Sequence, residues 1–159
     1  MLNIYEIDPD YICYLSSFEE HLFRNKKISQ NFNRKYVGIV LSINGFDYFA
    51  PLSSFKEKHK RLSETLDFIK IGQYAVINLN NMFPAPAESC RRINFNEIKD
   101  LNYKNLLRNE YWIIRQKTNL ILNNANKVYR HKVINDGKSK LSQRCNDFLL
   151  LEEKMKGYK

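Results

Sequence analysis

Cysteine, glycine and proline are scarce in this chain: three, five and four among 159 residues. Cys13, Cys90 and Cys145 are odd in number and far apart, and no CxxC pair occurs. That argues against a disulfide framework and against a zinc site. His21, His59 and His131 are equally scattered. The acidic pairs Glu19-Glu20 and Glu152-Glu153 fall on expected helices, where neighbours point in different directions. Neither builds the clustered carboxylates of a metal nuclease, so no metal and no other cofactor is expected. Few glycines also mean no G-x-S-x-G elbow, no Walker loop and no dinucleotide fingerprint. No apolar run approaches the roughly 18 residues of a membrane span. Met1-Leu2-Asn3-Ile4-Tyr5 lacks the basic start and long apolar core of a signal peptide. A reduced, cytoplasmic protein away from membranes is expected.

Positive charge is abundant. Lys and Arg number 26 against 17 Asp and Glu, a net charge of +9 with His neutral. Such a balance attracts polyanions, nucleic acid first among them. Aromatic residues make up 13%, including ten Tyr and ten Phe. Aromatic rings stack on unpaired bases, which favours single-stranded RNA over a membrane surface, although most of the Phe belong in a core. Hydrophobic residues at 43% suffice for that core, and the length suits one domain spanning residues 1–159.

The front half reads as β-rich. Leu2 to Ile7 alternates like a strand, and Asp8 or Asp10 with Pro9 can open a helix near Tyr11, whose buried face is Tyr11, Leu15 and Phe18. Arg24 to Arg34 reads as a basic loop. Tyr36 to Ile43 and Phe46 to Ala50 form a hairpin about Asn44-Gly45. Further strands are expected over Ala75–Leu79 and Met82–Pro86, with Ser63–Ile71 ambiguous. The back half reads as helical: a turn at Asn96–Asp100, one long amphipathic helix from Leu101 to about Lys127, a break at Gly137 and a last helix over Ser142–Lys156. Strands followed by helices give class α+β.

The densest chemistry lies in Tyr48-Phe49-Ala50-Pro51-Leu52-Ser53-Ser54-Phe55-Lys56. Pro51 is expected to end the strand, placing two hydroxyls and a lysine at its tip. Hydroxyls beside a fixed positive charge suit a phosphate oxygen. An ordinary Ser-rich turn fits the same spacing. RNA carries its own nucleophile, the 2′-hydroxyl, so a ribonuclease needs only to align the phosphate, move protons and stabilise the extra negative charge. Tyr11, Ser53, Ser54 and Lys56 are the right residue types for that work. A non-catalytic RNA-binding module and a small adaptor protein remain as alternatives.

Four segments extend this reading: Tyr36-Val37-Gly38-Ile39-Val40-Leu41, the Tyr48–Lys56 block, Val76-Ile77-Asn78-Leu79-Asn80-Asn81-Met82-Phe83-Pro84 and Cys145-Asn146-Asp147-Phe148-Leu149-Leu150-Leu151-Glu152-Glu153. With Tyr11-Ile12-Cys13-Tyr14-Leu15 they resemble, in order and spacing, the ToxN/AbiQ family of type III toxin–antitoxin systems. The resemblance implies an endoribonuclease toxin, active against phage infection and restrained by a small RNA antitoxin. It implies a MazF/Kid-like core, an SH3-type β-barrel, with additional helices. It places the family's active-site hydroxyls and lysine on Ser53, Ser54 and Lys56, and a family tyrosine on Tyr11. A second family tyrosine has no clear counterpart, with Ser29, Phe32 and Tyr36 as neighbours of its position. Arg34, Lys35, Tyr36, Lys58 and Lys60 are the expected RNA contacts. The implied assembly is a closed ring bridged by RNA, commonly three toxins with three RNAs.

Overall fold

The computed structural model describes residues 1–22, 34–135 and 137–159. Strand β1 spans Asn3–Ile7 and helix α1 spans Pro9–Ser16. Asp8 caps α1 by accepting the Asp10 N–H at 2.9 Å, and Pro9 enters the first turn, where an N–H has no helical partner to bond. Strands β2 (Lys35–Ile43) and β3 (Phe46–Ser54) make the expected hairpin. Asn44 and Gly45 both have positive φ, 55° and 81°, as a two-residue primed turn requires. Strands β4 (Phe68–Ile71), β5 (Ala75–Asn78), β6 (Phe83–Pro84) and β7 (Cys90–Arg92) follow. Helices α2 (Leu101–Gln116), α3 (Thr118–Ile134), α4 (Lys140–Arg144) and α5 (Phe148–Lys156) complete the chain.

The strands form one antiparallel sheet in the order β4-β5-β3-β2-β1-β7, with β6 also pairing with β3. Among the described residues its end strands β4 and β7 do not pair with each other, so the sheet they form is open. This corrects the expected barrel: the architecture is α+β around an open antiparallel sheet. No helix among the described residues is long and apolar enough to cross a membrane.

Three boundaries differ from the sequence pattern, each for a local reason. Pro51 does not end β3, which continues to Ser54. Along one edge β3 pairs with β6 at Tyr48 and Phe49, then with β5 from Leu52 to Ser54. Pro51 falls at this change of partner, so its missing N–H breaks no bond on that edge. The long helix is two helices broken at Lys117. There the Thr118 hydroxyl donates to the carbonyls of Ile114 and Arg115, at 3.3 and 2.9 Å, competing with the backbone ladder. Lys117 Nζ is also drawn to the Lys70 carbonyl at 2.8 Å. The last helix is likewise split. Asn146 is fully buried and donates to the Met82 carbonyl at 3.0 Å, and Asp147 then caps α5 through the Leu150 N–H at 3.2 Å.

Strand alternation divides the core between the two sheet faces. One cluster gathers Val37, Tyr48, Ile77, Ile114, Ile121, Val128 and Phe148, bringing α2, α3 and the start of α5 against the sheet. The other gathers Tyr11, Leu15, Tyr36, Phe49, Phe83 and Leu151 beneath α1 and α5. Buried polar groups are joined across these elements. Glu152 accepts from the Tyr48 and Tyr129 hydroxyls at 2.6 and 2.7 Å. Asp67, in the loop before β4, accepts two bonds from Arg144 at 2.7 Å each. Burial alone would raise the Asp67 pKa, but the Arg144 and Thr65 bonds outweigh it and hold the carboxyl below its ordinary range.

Of the five glycines, Gly38 has the closest neighbour. A β-carbon there would stand 2.2 Å from Cδ2 of Phe49, its partner across the β2–β3 ladder. Phe49 is buried against Tyr5, with ring centroids 5.1 Å apart, and has little room to yield. Gly38→Ala is therefore expected to cost about 1–3 kcal/mol, as overpacking does. Urea unfolding should show a lower midpoint with an unchanged slope.

Candidate active site

The site begins where β3 ends. Leu52, Ser53 and Ser54 are paired with Ile77, Val76 and Ala75 of β5, so both hydroxyls stand on a hydrogen-bonded strand. The Phe55 N–H then donates to the Tyr74 carbonyl at 3.2 Å, and the chain turns into a single 3-10 turn, Glu57–Lys60. His59 fixes this turn. Its Nδ1 accepts the Lys56 N–H at 2.8 Å while its backbone N–H donates to the Lys56 carbonyl at 2.9 Å. The ring is 7% exposed and lies 5.5 Å from Phe55 and 5.6 Å from Phe68. Burial, then Lys58, Lys56 and Lys70, push its pKa below the ordinary histidine value. The neutral ring serves as an acceptor that sets the Lys56 backbone; it is not poised as a base toward Ser54.

Arg34 approaches from the β2 side. Its Nη1 donates to Ser53 Oγ at 2.8 Å. Its Nε and Nη2 are buried and have no hydrogen-bond partner among the described residues. Burial lowers the Arg34 pKa, with Tyr36 opposing. Buried donors are ordinarily paired, and two guanidinium nitrogens together match the oxygens of a phosphate. Lys35 is tied down beside it, 3.2 Å from Glu6 Oε2 and 5.4 Å above the Tyr103 ring.

These groups border one cavity of about 420 Å³. Arg34, Lys35, Ser53, Ser54, Lys56 and Lys58 supply its polar lining, Leu52 and Val76 its sheet lining, and Tyr103, Leu107 and Glu110 come from α2. The structure thus brings together six of the residues singled out from sequence. It leaves three elsewhere. Tyr11 is fully buried, donates its hydroxyl to the Pro84 carbonyl at 2.6 Å and packs edge-on to Tyr158 at 4.9 Å. Burial, with Cys90 and two tyrosines nearby, raises its pKa far above the phenol range. Tyr36 is buried 5.4 Å from the Phe83 ring, and burial lifts its pKa to about 12. Lys60 is exposed and pairs with Glu57 at 3.3 Å. Ser29 and Phe32 lie outside the described residues.

Two site residues escaped the sequence reading. His59 is one of three scattered histidines, with no local pattern to mark it. Glu110 carried a signal that went unused: Leu107, Glu110 and Ile114 follow helical spacing and are all buried, so one carboxyl interrupts the apolar stripe of α2. Burial raises its pKa to about 7.

The family model described as toxin ToxN of type III toxin–antitoxin systems matches residues 3–156. The chain belongs to this ToxN toxin family. It is 32% identical to endoribonuclease ToxN of Bacillus thuringiensis subsp. kurstaki, over 99% of this chain and 84% of that relative. It is 28% identical to endoribonuclease ToxN of Pectobacterium atrosepticum, over 99% and 94%. Endoribonuclease AbiQ of Lactococcus lactis subsp. lactis is 28% identical, over 96% and 87%. A solved structure concerned with selective toxin inhibition by a non-coding RNA pseudoknot in type III systems matches with a TM-score of 0.82 at 29% identity, covering 99% of this chain and 97% of that one. The structure of AbiQ, described as a lactococcal anti-phage endoribonuclease, shares the fold with a TM-score of 0.81 at 24% identity, covering 99% and 98%.

Within this ToxN-family chain the Tyr11 hydroxyl is a bridge from α1 to β6. Tyr11→Phe removes the donor and leaves the Pro84 carbonyl buried and unpaired, which costs about 1–3 kcal/mol. Urea unfolding is expected to register that loss, and any loss of activity should be recovered under conditions that restore folding.

Proposed function

We propose that this chain is a metal-independent endoribonuclease toxin, inhibited by a small repeat-derived RNA antitoxin. The observation that carries the reading is the half-satisfied Arg34 guanidinium beside Ser53, Ser54 and Lys56 at the rim of one cavity. The endoribonuclease names of the curated relatives support it.

In this reading the scissile phosphate docks beside the Arg34 guanidinium that borders the cavity. Ser53 and Ser54 orient its non-bridging oxygens, and Ser53 is itself held by Arg34. Lys56 supplies a point charge to the phosphorane as the 2′-oxygen attacks. Lys35 and Lys58 guide the flanking backbone, with Lys60 at the margin. Tyr11 and Tyr36 support the site from the core. Products are a 2′,3′-cyclic phosphate and a 5′-hydroxyl. The whole span 1–159 acts as one toxin domain, in the cytoplasm where its RNA substrates are, and the sheet is read as an opened relative of a MazF/Kid-type core. A role in abortive phage infection is supported by the anti-phage description of AbiQ.

The antitoxin RNA occupies the same cavity and bridges neighbouring toxins into a ring, three of each. The net charge of +9 keeps free subunits apart until RNA phosphates neutralise them.

Purified protein incubated with cellular RNA should leave cyclic-phosphate ends, with and without EDTA. Lys56→Ala should lower cleavage by a factor of about a hundred or more while leaving the unfolding midpoint nearly unchanged. Activity restored only by Mg²⁺, 3′-hydroxyl ends, or a folded Lys56→Ala protein that cuts at the wild-type rate would each defeat the mechanism. RNA bound without any cutting would favour the non-catalytic module.

Light scattering should give a complex of several protein copies with the repeat RNA. Its affinity should fall steeply with salt, as counterion release requires. A particle of one protein and one RNA would exclude the ring.

A further inference from the structure

Resting on that reading, we infer that Glu110 is the general base of this toxin, the carboxylate that takes the proton from the attacking 2′-hydroxyl. Cleavage by the 2′-oxygen needs a proton acceptor, and the phosphate-binding groups do not offer one. Arg34, Lys35, Lys56 and Lys58 are cations, and Ser53 is a partner of Arg34. His59 borders the cavity, but its Nδ1 is occupied by the Lys56 N–H. Among the described residues that line the cavity, Glu110 is the sole carboxylate.

Its placement has no structural explanation of the usual kind. Glu110 is 5% exposed on the buried stripe of α2, yet makes no hydrogen bond or ion pair among the described residues. Buried carboxylates in a core are ordinarily paired. The charged and titratable groups around the cavity are Arg34 and Lys35 at the start of β2, Lys56 after β3, Lys58 and His59 on the 3-10 turn, and Tyr103 two turns before Glu110 on α2. A cavity of about 420 Å³ is nucleotide-sized. A phosphate held on Arg34 and the serines leaves its ribose to fill the remainder, toward α2. Burial lifts the carboxyl pKa to about 7, where a base retains proton affinity yet is ionised in a large fraction of molecules.

The step balances as follows. The 2′-oxygen forms a bond to phosphorus as Glu110 accepts its proton, and the bond from phosphorus to the 5′-oxygen breaks. The departing 5′-oxygen takes a proton from solvent, and Glu110 returns its own to solvent.

Single-turnover cleavage of an RNA substrate is measured from pH 5.5 to 9 for the wild type, Glu110→Gln and Glu110→Asp. A base acts when ionised, so the wild-type rate should climb with pH through about 7 and then level off. Glu110→Gln should bind RNA equally well, unfold at a similar urea concentration, cleave about a hundredfold more slowly and lose the acidic limb. Glu110→Asp should cleave slowly but keep that limb. A folded Glu110→Gln protein with wild-type rate, or with the same limb, overturns the assignment and leaves the ribonuclease reading intact. A wild-type protein that cuts no RNA defeats the ribonuclease reading instead, and the assignment with it.

Discussion

Everything in the site depends on β3 staying laddered to its last residue on the β5 edge, after its pairing with β2 has ended at Leu52. On one side it runs beside β2 from Ile43↔Phe46 to Lys35↔Leu52. On the other it exchanges β6 for β5 and remains paired at Ser53 and Ser54. A chain tip with free N–H and C=O groups would rearrange to satisfy them. A laddered tip has no such freedom, so the hydroxyls are fixed to within the play of their own rotamers. The same pairing carries Lys35 to the site, because it stands opposite Leu52 on the neighbouring strand.

Rigidity is then extended by groups that never meet the ligand. His59 is locked between two aromatic rings and holds both backbone groups of Lys56. Glu6 holds Lys35 and also receives Arg91 from β7, joining three strands in a charged relay. Surface ion pairs contribute little to stability, but Lys35 and Glu6 are mostly buried, where the pair fixes position. Arg34 differs from both. Its burial costs energy that a single serine hydroxyl does not return.

The β-hairpin, the helix at Pro9 and the serine–lysine motif were legible because each rests on local chemistry: positive φ at Asn44-Gly45, an aspartate cap, a strand-end composition. The partner of the Tyr11 hydroxyl was hidden for the opposite reason. A tyrosine on an amphipathic helix has the same sequence appearance whether its hydroxyl meets solvent or a carbonyl from 73 residues away. The break at Lys117 was hidden because nothing in the 3-and-4 spacing of Leu106 to Leu122 interrupts the stripe; the Thr118 hydroxyl and a carbonyl at Lys70 decide it. Closure into a barrel is not recorded in the sequence, because it is a relation between β4 and β7, two short strands with no pattern that says whether they meet. Glu110 was legible in principle, as a charge inside a buried stripe.

Two kinds of positive charge serve two distances. Lys56 and Lys58 are exposed, so their pull on an approaching polyanion is screened beyond roughly 8–10 Å at physiological salt. In the proposed reading they steer RNA toward the site. The inner nitrogens of Arg34 are out of solvent, where the same screening hardly reaches them.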